Sequence, residues 1–502
     1  MAACAPSAGA ADLYVSPSGS DGGPCSRTAP CQSFNRAYTV ATGGQLVEVA
    51  GGSYGGQDIP NDPSKTAGVV TFAPAAGATV SAGWLRVMGD HVEIRSMRVS
   101  GWTLREGADD ITLRDVDADE QGWWIRSASN VRVIGGDLGP VTDLSPEVSA
   151  AWESDVPARN ILFDGVTFHD AVKQADDAHV DCLTVGDVEG LTIRNSRFRN
   201  CEHFDLIFGN DVSTGRGASN VLVENTFFDC CRTGYYSIGL GAIDGAVFRY
   251  NSANLGIGFL GQGVRNVEIH SNVLPTVAQS TCSRANWHHN VSRDGARCGT
   301  GDRVAPMGFL DGRGFDFHLT PGAAAIGAGD PSSAPAIDID GHPRSDGRPD
   351  AGADEYGSSP GSGAAPPPVG GQPAAGLIVR GPKRWRRERG APRATLRVRL
   401  RTARSFARNG LPVSVSCRTR CRARARLVLD RRVARTIGVR RTFLSAGRWA
   451  SRGRPAALRV RVPGTAPRRI AGAPRVTGTL RVTAIAPSGA VARVSVRLTF
   501  GS

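Results

Sequence analysis

The sequence predicts an all-β protein: a solenoid of stacked β-coils followed by a small antiparallel β-sandwich. The first observation is a short pattern repeated eight times between residues 90 and 275. It runs polar residue, aliphatic, one residue out, aliphatic, small turn residue, apolar residue. The first aliphatic falls at Val92, Ile111, Val131, Ile161, Leu191, Val221, Ala246 and Val267. Two positions on stand Ile94, Leu113, Val133, Phe163, Ile193, Val223, Phe248 and Ile269, and seven positions on Val99, Ala118, Leu138, Phe168, Phe198, Phe228, Ala253 and Leu274. A repeat of 19 to 30 residues with strand-like alternation and no helical period predicts stacked coils. Each strand is too short to bury its own face, so identical columns pile into one apolar core. The second observation is a change of pattern after residue 376, where apolar residues alternate with arginine, as in Leu396, Val398 and Leu400 against Arg397, Arg399 and Arg401. That alternation predicts strands with one buried and one solvated face.

Composition agrees. A chain of 502 residues exceeds one typical core, and 63 glycines with 30 prolines suit a turn-rich β protein. The net charge of +13 hides two opposite halves: residues 377–502 carry 33 basic side chains against Glu388 and Asp430, and the remainder 26 against 44 acidic ones. The acidic half repels bare polyanions unless metal ions intervene, and the basic half attracts them. Eleven cysteines include the close pairs Cys25/Cys31, Cys282/Cys298 and Cys417/Cys421, which predict disulfides and an oxidising compartment. Cys182, Cys201, Cys230 and Cys231 sit on or beside successive coils, as packed thiols or one inter-coil bridge. No stretch reaches the length of a membrane span.

Taken in order, residues 1–11 (MAACAPSAGAA) read as the remnant of a secretion signal. Residues 12–60 give a strand, a Gly/Ser turn, a short helix near 33–41 and a strand at 46–49, and residues 69–72 supply an early coil. The coils follow to residue 356. Within that end, Asp338 and Asp340 before Gly341 form an Asx turn rather than a calcium loop, because the remaining ligands of such a loop are absent. Asn195, Asn225, Asn251 and Asn272 predict an amide ladder inside the turns. Residues 357–376 are a Gly/Ser then Pro-rich linker. Residues 377–502 form the arginine-rich sandwich, with strands near 395–401, 412–416, 425–429, 458–462, 477–485 and 491–500.

The stretch LYVSPSGSDGGPCSRTAPCQSFNRAYTVATGGQLVEVAGGSYGG resembles the N-terminal region of secreted right-handed parallel β-helix proteins of the pectate-lyase-like superfamily. DFHLTPGAAAIGAGDP, DIDGHPR and PDAGADEYG, at 316–331, 338–344 and 349–357, resemble the choice-of-anchor Q segment of bacterial surface and secreted β-helix proteins. The resemblance covers residues 12–357. Where such chains usually read S-P-A-I-D-A-G, residues 323–329 read AAAIGAG, so the usual aspartate is missing and Gly327 stands in its place.

Candidate chemistry concentrates in the longest coils, where 30 residues separate Ile161, Leu191 and Val221. The extra residues must leave the coil as loops, where function concentrates on a rigid scaffold. Lys173, Asp176, Asp177, His179, Asp181, His203 and Asp205 lie there. Asp181 and Asp205 each precede an apolar run and are expected to stack on one outer wall, where with Asp176 and Asp177 they form a calcium site. The superfamily's lyases cleave uronate glycans by β-elimination, with calcium on the carboxylate and a basic residue taking the proton. The resemblance maps that base onto Lys173, one of three lysines beside 56 arginines. His179 and His203 are further acid/base candidates. Arg232, Tyr235, Tyr236 and Trp124 are expected to hold the sugar, by a carboxylate clamp and by flat faces. The implied protein is a secreted or surface-attached monomer that engages an extracellular acidic polysaccharide, with residues 377–502 contacting an anionic cell envelope and no specific nucleic acid. Two alternatives stand beside it: a non-catalytic surface binding or display protein, and a glycoside hydrolase using paired aspartates. The latter lacks the G-H-G and R-I-K elements of the polygalacturonase type.

Overall fold

The computed structural model describes residues 11–357 apart from 152–153, 174–178, 212–213, 232–235 and 313–314, and beyond them the strands of 378–501 and Phe406. The expected signal remnant lies almost wholly outside the described residues. The chain divides into two compact units, residues 1–370 and 371–502.

The first unit is a parallel β-helix. Each coil contributes strands to three parallel columns, and the predicted register holds pair by pair. Val92 lies opposite Ile111, Ile111 opposite Val131, Val131 opposite Ile161, Ile161 opposite Leu191, Leu191 opposite Val221, Val221 opposite Ala246 and Ala246 opposite Val267. The same column extends back through Phe72 to Val47 and Leu13, and forward to Trp287. The second column aligns Val99, Ala118, Leu138, Phe168, Phe198 and Phe228. Here the aromatic rings stack: Phe168 on Phe198 at 4.3 Å and Phe198 on Phe228 at 4.9 Å between centroids, all within 1% of full burial.

The bends explain the small and polar residues in the pattern. From the Val92 strand onward, a residue in the left-handed region follows each first-column strand: Ser96, Asp115, Gly135, Gly165, Asn195, Asn225, Tyr250, Ser271 and His289. Glycine, asparagine and aspartate tolerate that region, whereas a bulky side chain is strained there. A second left-handed series stands one residue before the first aliphatic of each repeat, at His91, Asp110, Asn130, Asn160, Gly190, Asn220, Gly245 and Asn266. The amide ladder exists: Asn225 donates to Asn195 at 3.3 Å, Asn251 to Asn272 at 3.0 Å and Asn272 to Asn290 at 3.0 Å.

One end of the solenoid is covered by helix Phe34–Val40, with Ser33 as its N-cap, whose side chain accepts the Arg36 amide. Phe34, Ala37 and Tyr38 of the helix are buried against the first coils, shielding their open edge. The stretch 316–357 folds back along the coils. Tyr250 donates to the Asp330 carbonyl, Asn225 to that of Ile337, and Arg344, with a fully buried side chain, pairs with Glu355 at 2.7 Å. Asp338 accepts the amides of Asp340 and His342, the expected Asx turn. Disulfides join Cys25–Cys31, Cys282–Cys298 and Cys417–Cys421, and Cys182–Cys201 is the inter-coil bridge.

The second unit contains two antiparallel sheets. One orders Ile378–Arg380, Ala394–Arg399, Leu411–Cys417 and Ala456–Val460. The other is built around Cys421–Leu429, Arg475–Ile485 and Val491–Gly501. Leu411, Val413, Val415 and Cys417 are buried at alternate positions, as are Cys421, Ala423, Ala425, Leu427 and Leu429. Period-two alternation fills the space between two sheets.

Candidate functional site

The third column carries the candidate site on its outer face. Its strands include Val80–Val87, Arg98–Leu104, Trp123–Arg126, Glu147–Ser149, Leu183–Val185, Leu206–Phe208, Tyr236–Arg249 and Gly256–His270. Leu85, Trp102, Trp123, Val148, Val185 and Phe208 point inward and are fully buried. Residues of opposite parity therefore face out. One outward row aligns Arg86, Thr103, Trp124, Glu147, Thr184, Ile207, Gly239 and Gly258 by strand register. Seven steps at the usual inter-strand spacing make this row about 34 Å long.

At one end lies an aromatic and cationic cleft of about 490 Å³, lined by Trp84, Arg86, Thr103, Arg105, Trp124 and Arg126. The two indoles lie 5.4 Å apart between centroids, tilted by 36°. Trp84 lies flat because residue 101 is glycine: a Cβ there would meet the indole at 2.4 Å. Arg86 is held by Asp58 through two hydrogen bonds, and Arg126 by Glu147 at 2.7 Å. Flat apolar faces beside held guanidinium groups suit a ring that carries a carboxylate. At the other end Tyr236, 38% exposed, lays its ring over Gly258 in the same way, a Cβ at 258 falling 2.4 Å from it.

Between these ends sits a polar cluster. The His179 and His203 rings stack at 4.3 Å, inclined by 18°. His179 Nε2 lies 3.3 Å from Asp181 Oδ2, with the aspartate side chain 3% exposed and the imidazole 59%. That hydrogen bond pushes the His179 pKa up; partial burial and the nearby Lys173 charge oppose it. Asp181 is locked by the Phe204 amide at 3.1 Å and by Thr184 Oγ1 at 3.4 Å. The Val180 amide donates to His203 Nδ1 at 3.5 Å, which leaves the proton of the neutral ring on Nε2. Lys173 follows the second-column end, its amide donating to Glu202 at 3.4 Å.

Asp205 is elsewhere. Leu183 pairs with Leu206, so Cys182, not Asp181, stands beside Asp205. A slip of one residue sends a side chain to the opposite face. Asp205 is fully buried, and burial with the neighbouring Asp229 charge raises its pKa well above the ordinary value. Burial likewise raises Asp229 to about 8, against the pull of Arg199. The expected outer-wall stack of Asp181 and Asp205 is therefore absent, and Asp205 lies in the interior, where burial disfavours its charged form. Calcium takes six to eight oxygen ligands. The described donors around Asp181 are the imidazoles of His179 and His203 and its own carboxylate, and two of the four expected calcium ligands, Asp176 and Asp177, are not among them. Asp176, Asp177, Arg232 and Tyr235 lie outside the described residues.

Of the residues singled out in the sequence, the structure places Trp124, Tyr236, His179, His203 and Asp181 on or beside this face, together with Trp84, Arg86, Arg105 and Arg126, which were not singled out. Their signal was present: W-L-R at 84–86, T-L-R at 103–105 and W-I-R at 124–126 repeat an outward, inward, outward tripeptide.

No family model matches the chain, and no curated protein matches it. Among solved structures, pectate lyase Pel9A aligns with a TM-score of 0.41 at 15% identity, over 68% of this chain and 96% of its own. A rhamnogalacturonan lyase aligns at 0.37 and 12% identity, over 59% and 90%. Tailspike protein gp49 from Acinetobacter baumannii bacteriophage Fri1, a capsular polysaccharide depolymerase, aligns at 0.28 and 9%, over 91% and 80%.

Proposed function

We propose that this protein binds an extracellular acidic polysaccharide along the outer face of the third column. The observation that carries the reading is the outward row from Arg86 to Gly258, with indoles and guanidiniums at one end, the Tyr236 ring over Gly258 at the other, and between them Thr184 touching the Asp181 that holds His179. Indole and phenol faces hold sugar rings by apolar contact, and arginine forks hold their carboxylates. The disulfides are compatible with a secreted protein.

The chemistry that suits the polar cluster is β-elimination. His179, oriented by the buried Asp181, takes the proton from the carbon beside the uronate carboxylate. The electron pair of that C–H bond becomes a C=C bond, the neighbouring C–O bond breaks, and solvent protonates the leaving oxygen. Lys173 supplies positive charge toward the carboxylate, and His203 fixes the His179 ring by stacking. This gives Lys173 an electrostatic role and moves the base to the imidazole with a carboxylate partner. The hydrolase alternative loses support on Asp205, whose carboxyl is fully buried and out of reach of a glycan.

The test is ultraviolet absorbance of unsaturated uronate on pectate, alginate and glycosaminoglycan substrates, with binding measured in parallel. The reading expects absorbance from at least one substrate, lost in His179→Gln and sharply reduced in Lys173→Ala. Binding without any absorbance would reduce the reading to a non-catalytic display protein, and no binding would remove it. The arginine-rich second unit is proposed to contact an anionic cell envelope, which requires that its retention on cell-wall preparations fall as salt rises.

A further inference from the structure

A second histidine-rich cluster lies far along the solenoid, where the returning segment crosses the last coils. We infer that His288, His289 and Asp330 form a binding site for a divalent transition metal, Zn²⁺ being the best match, which fastens this segment to the coils.

The donor geometry carries the inference. His288 Nδ1 lies 3.0 Å from His289 Nδ1 and 3.8 Å from Asp330 Oδ2. The three donor atoms all lie within 4.8 Å of one another. A tetrahedral ion with bonds near 2.1 Å separates its ligands by about 3.4 Å, between the two distances observed. Two nitrogens and one carboxylate oxygen leave a fourth position for water, and that donor set suits zinc better than calcium or magnesium.

The surroundings are prepared in the way metal sites are. His288 Nε2 faces Glu268 Oε1 at 2.8 Å, so the ring proton sits on Nε2 and the Nδ1 lone pair is turned toward the cluster. A carboxylate behind a ligating imidazole both fixes the tautomer and raises ligand basicity. Asp330 spends Oδ1 on the Ser332 amide and hydroxyl, at 3.0 and 2.8 Å, which leaves Oδ2 aimed at the imidazoles. His289 occupies a left-handed bend with φ of 55°, a position that most other coils fill with serine, glycine, asparagine or aspartate. Its ring packs over Gly301, where a Cβ would fall 2.5 Å from Cδ2.

Bound metal would join residues 288–289 to residue 330. The Asp330 amide already donates to Ser271, and its carbonyl accepts from Tyr250. An ion that binds the folded state alone stabilises it by mass action.

The experiment uses the untagged full chain, stripped with chelator and titrated with Zn²⁺ by calorimetry, with Co²⁺ absorption as a report on ligand geometry. Expected are one tightly bound Zn²⁺ per chain, a raised melting temperature, and visible Co²⁺ bands of tetrahedral type. His289→Ala and Asp330→Asn should each weaken Zn²⁺ binding at least tenfold, while His203→Gln leaves it intact. Absence of Zn²⁺ uptake by the wild-type chain would overturn the inference. So would uptake that survives both cluster variants, or uptake that moves with His203, which would place the ion at the His179 cluster. The wild-type melting shift keeps the test decisive even if a variant fails to fold.

Discussion

Thr184 stands two coils from Trp124 in one outward-facing row, joined through Glu147, and its Oγ1 reaches Asp181 Oδ2 at 3.4 Å. The same strand register that stacks the core thus links an aromatic cleft to a histidine–aspartate pair about 10 Å away. A polymer chain laid along the row would meet both.

Affinity should therefore depend on ligand length. Tyr236→Ala should leave short acidic oligosaccharides unaffected and weaken long ones about fivefold, on the order of 1 kcal/mol for a lost ring contact. Calorimetry with a size series checks this. Equal losses at every length would place Tyr236 outside the binding path.

Binding should weaken as salt rises, because the cleft arginines are partly solvated and screened. Arg105, which is exposed and lines the cleft, contributes to this slope. Arg105→Ala should flatten the dependence of log Kd on log salt without changing the melting temperature. An unaltered slope would assign the charge attraction to another surface.

The fold was legible because its signal is local and repeated. Eight repeats of the apolar pattern, the helix after Ser33 and the asparagine ladder were all visible as spacing. The site was only half legible. Trp124 and His179 stood out by residue type, whereas Trp84 and Arg86 showed only as part of a repeated tripeptide, and the register with Gly101 and Thr103 is what brings them to one cleft. Asp205 misled because a parallel pair offset by one residue looks the same in sequence as one in step. Only the pairing of Leu183 with Leu206 distinguishes the outer wall from the interior.

Asp205→Asn follows from that distinction. The folded-state pKa is raised above the unfolded value near 4, so wild-type stability falls as pH climbs past it. Asparagine carries no such proton and should remove part of this slope. Melting temperatures from pH 5 to pH 9 should show the variant gaining on the wild type toward alkaline pH. A variant that loses ground there would mean an ionised Asp205.

His318 gives a separate alkaline window. Burial pulls its pKa down, but Asp316 and Asp340 outweigh this and raise it to about 10. Its contribution is complete below the unfolded value near 6.5 and is lost as pH rises toward about 10. His318→Gln should flatten stability across that interval in thermal melts. An unchanged profile would show that the Asp316–His318–Asp340 contact contributes nothing to folding.

The core column should be far less forgiving. Phe198 lies between Phe168 and Phe228, and Phe198→Ala should cost about 3–5 kcal/mol, read from denaturant or thermal unfolding. A loss below about 1 kcal/mol would contradict the stacked arrangement.

The most direct measurement is a calorimetric titration of acidic oligosaccharide into wild type and the Trp84→Ala/Trp124→Ala double variant at low salt. The account predicts saturable binding by the wild type and at least about a tenfold loss in the variant, with equal melting temperatures and no binding of neutral glucans. Equal affinity in both proteins, or equal affinity for neutral glucans, would contradict it.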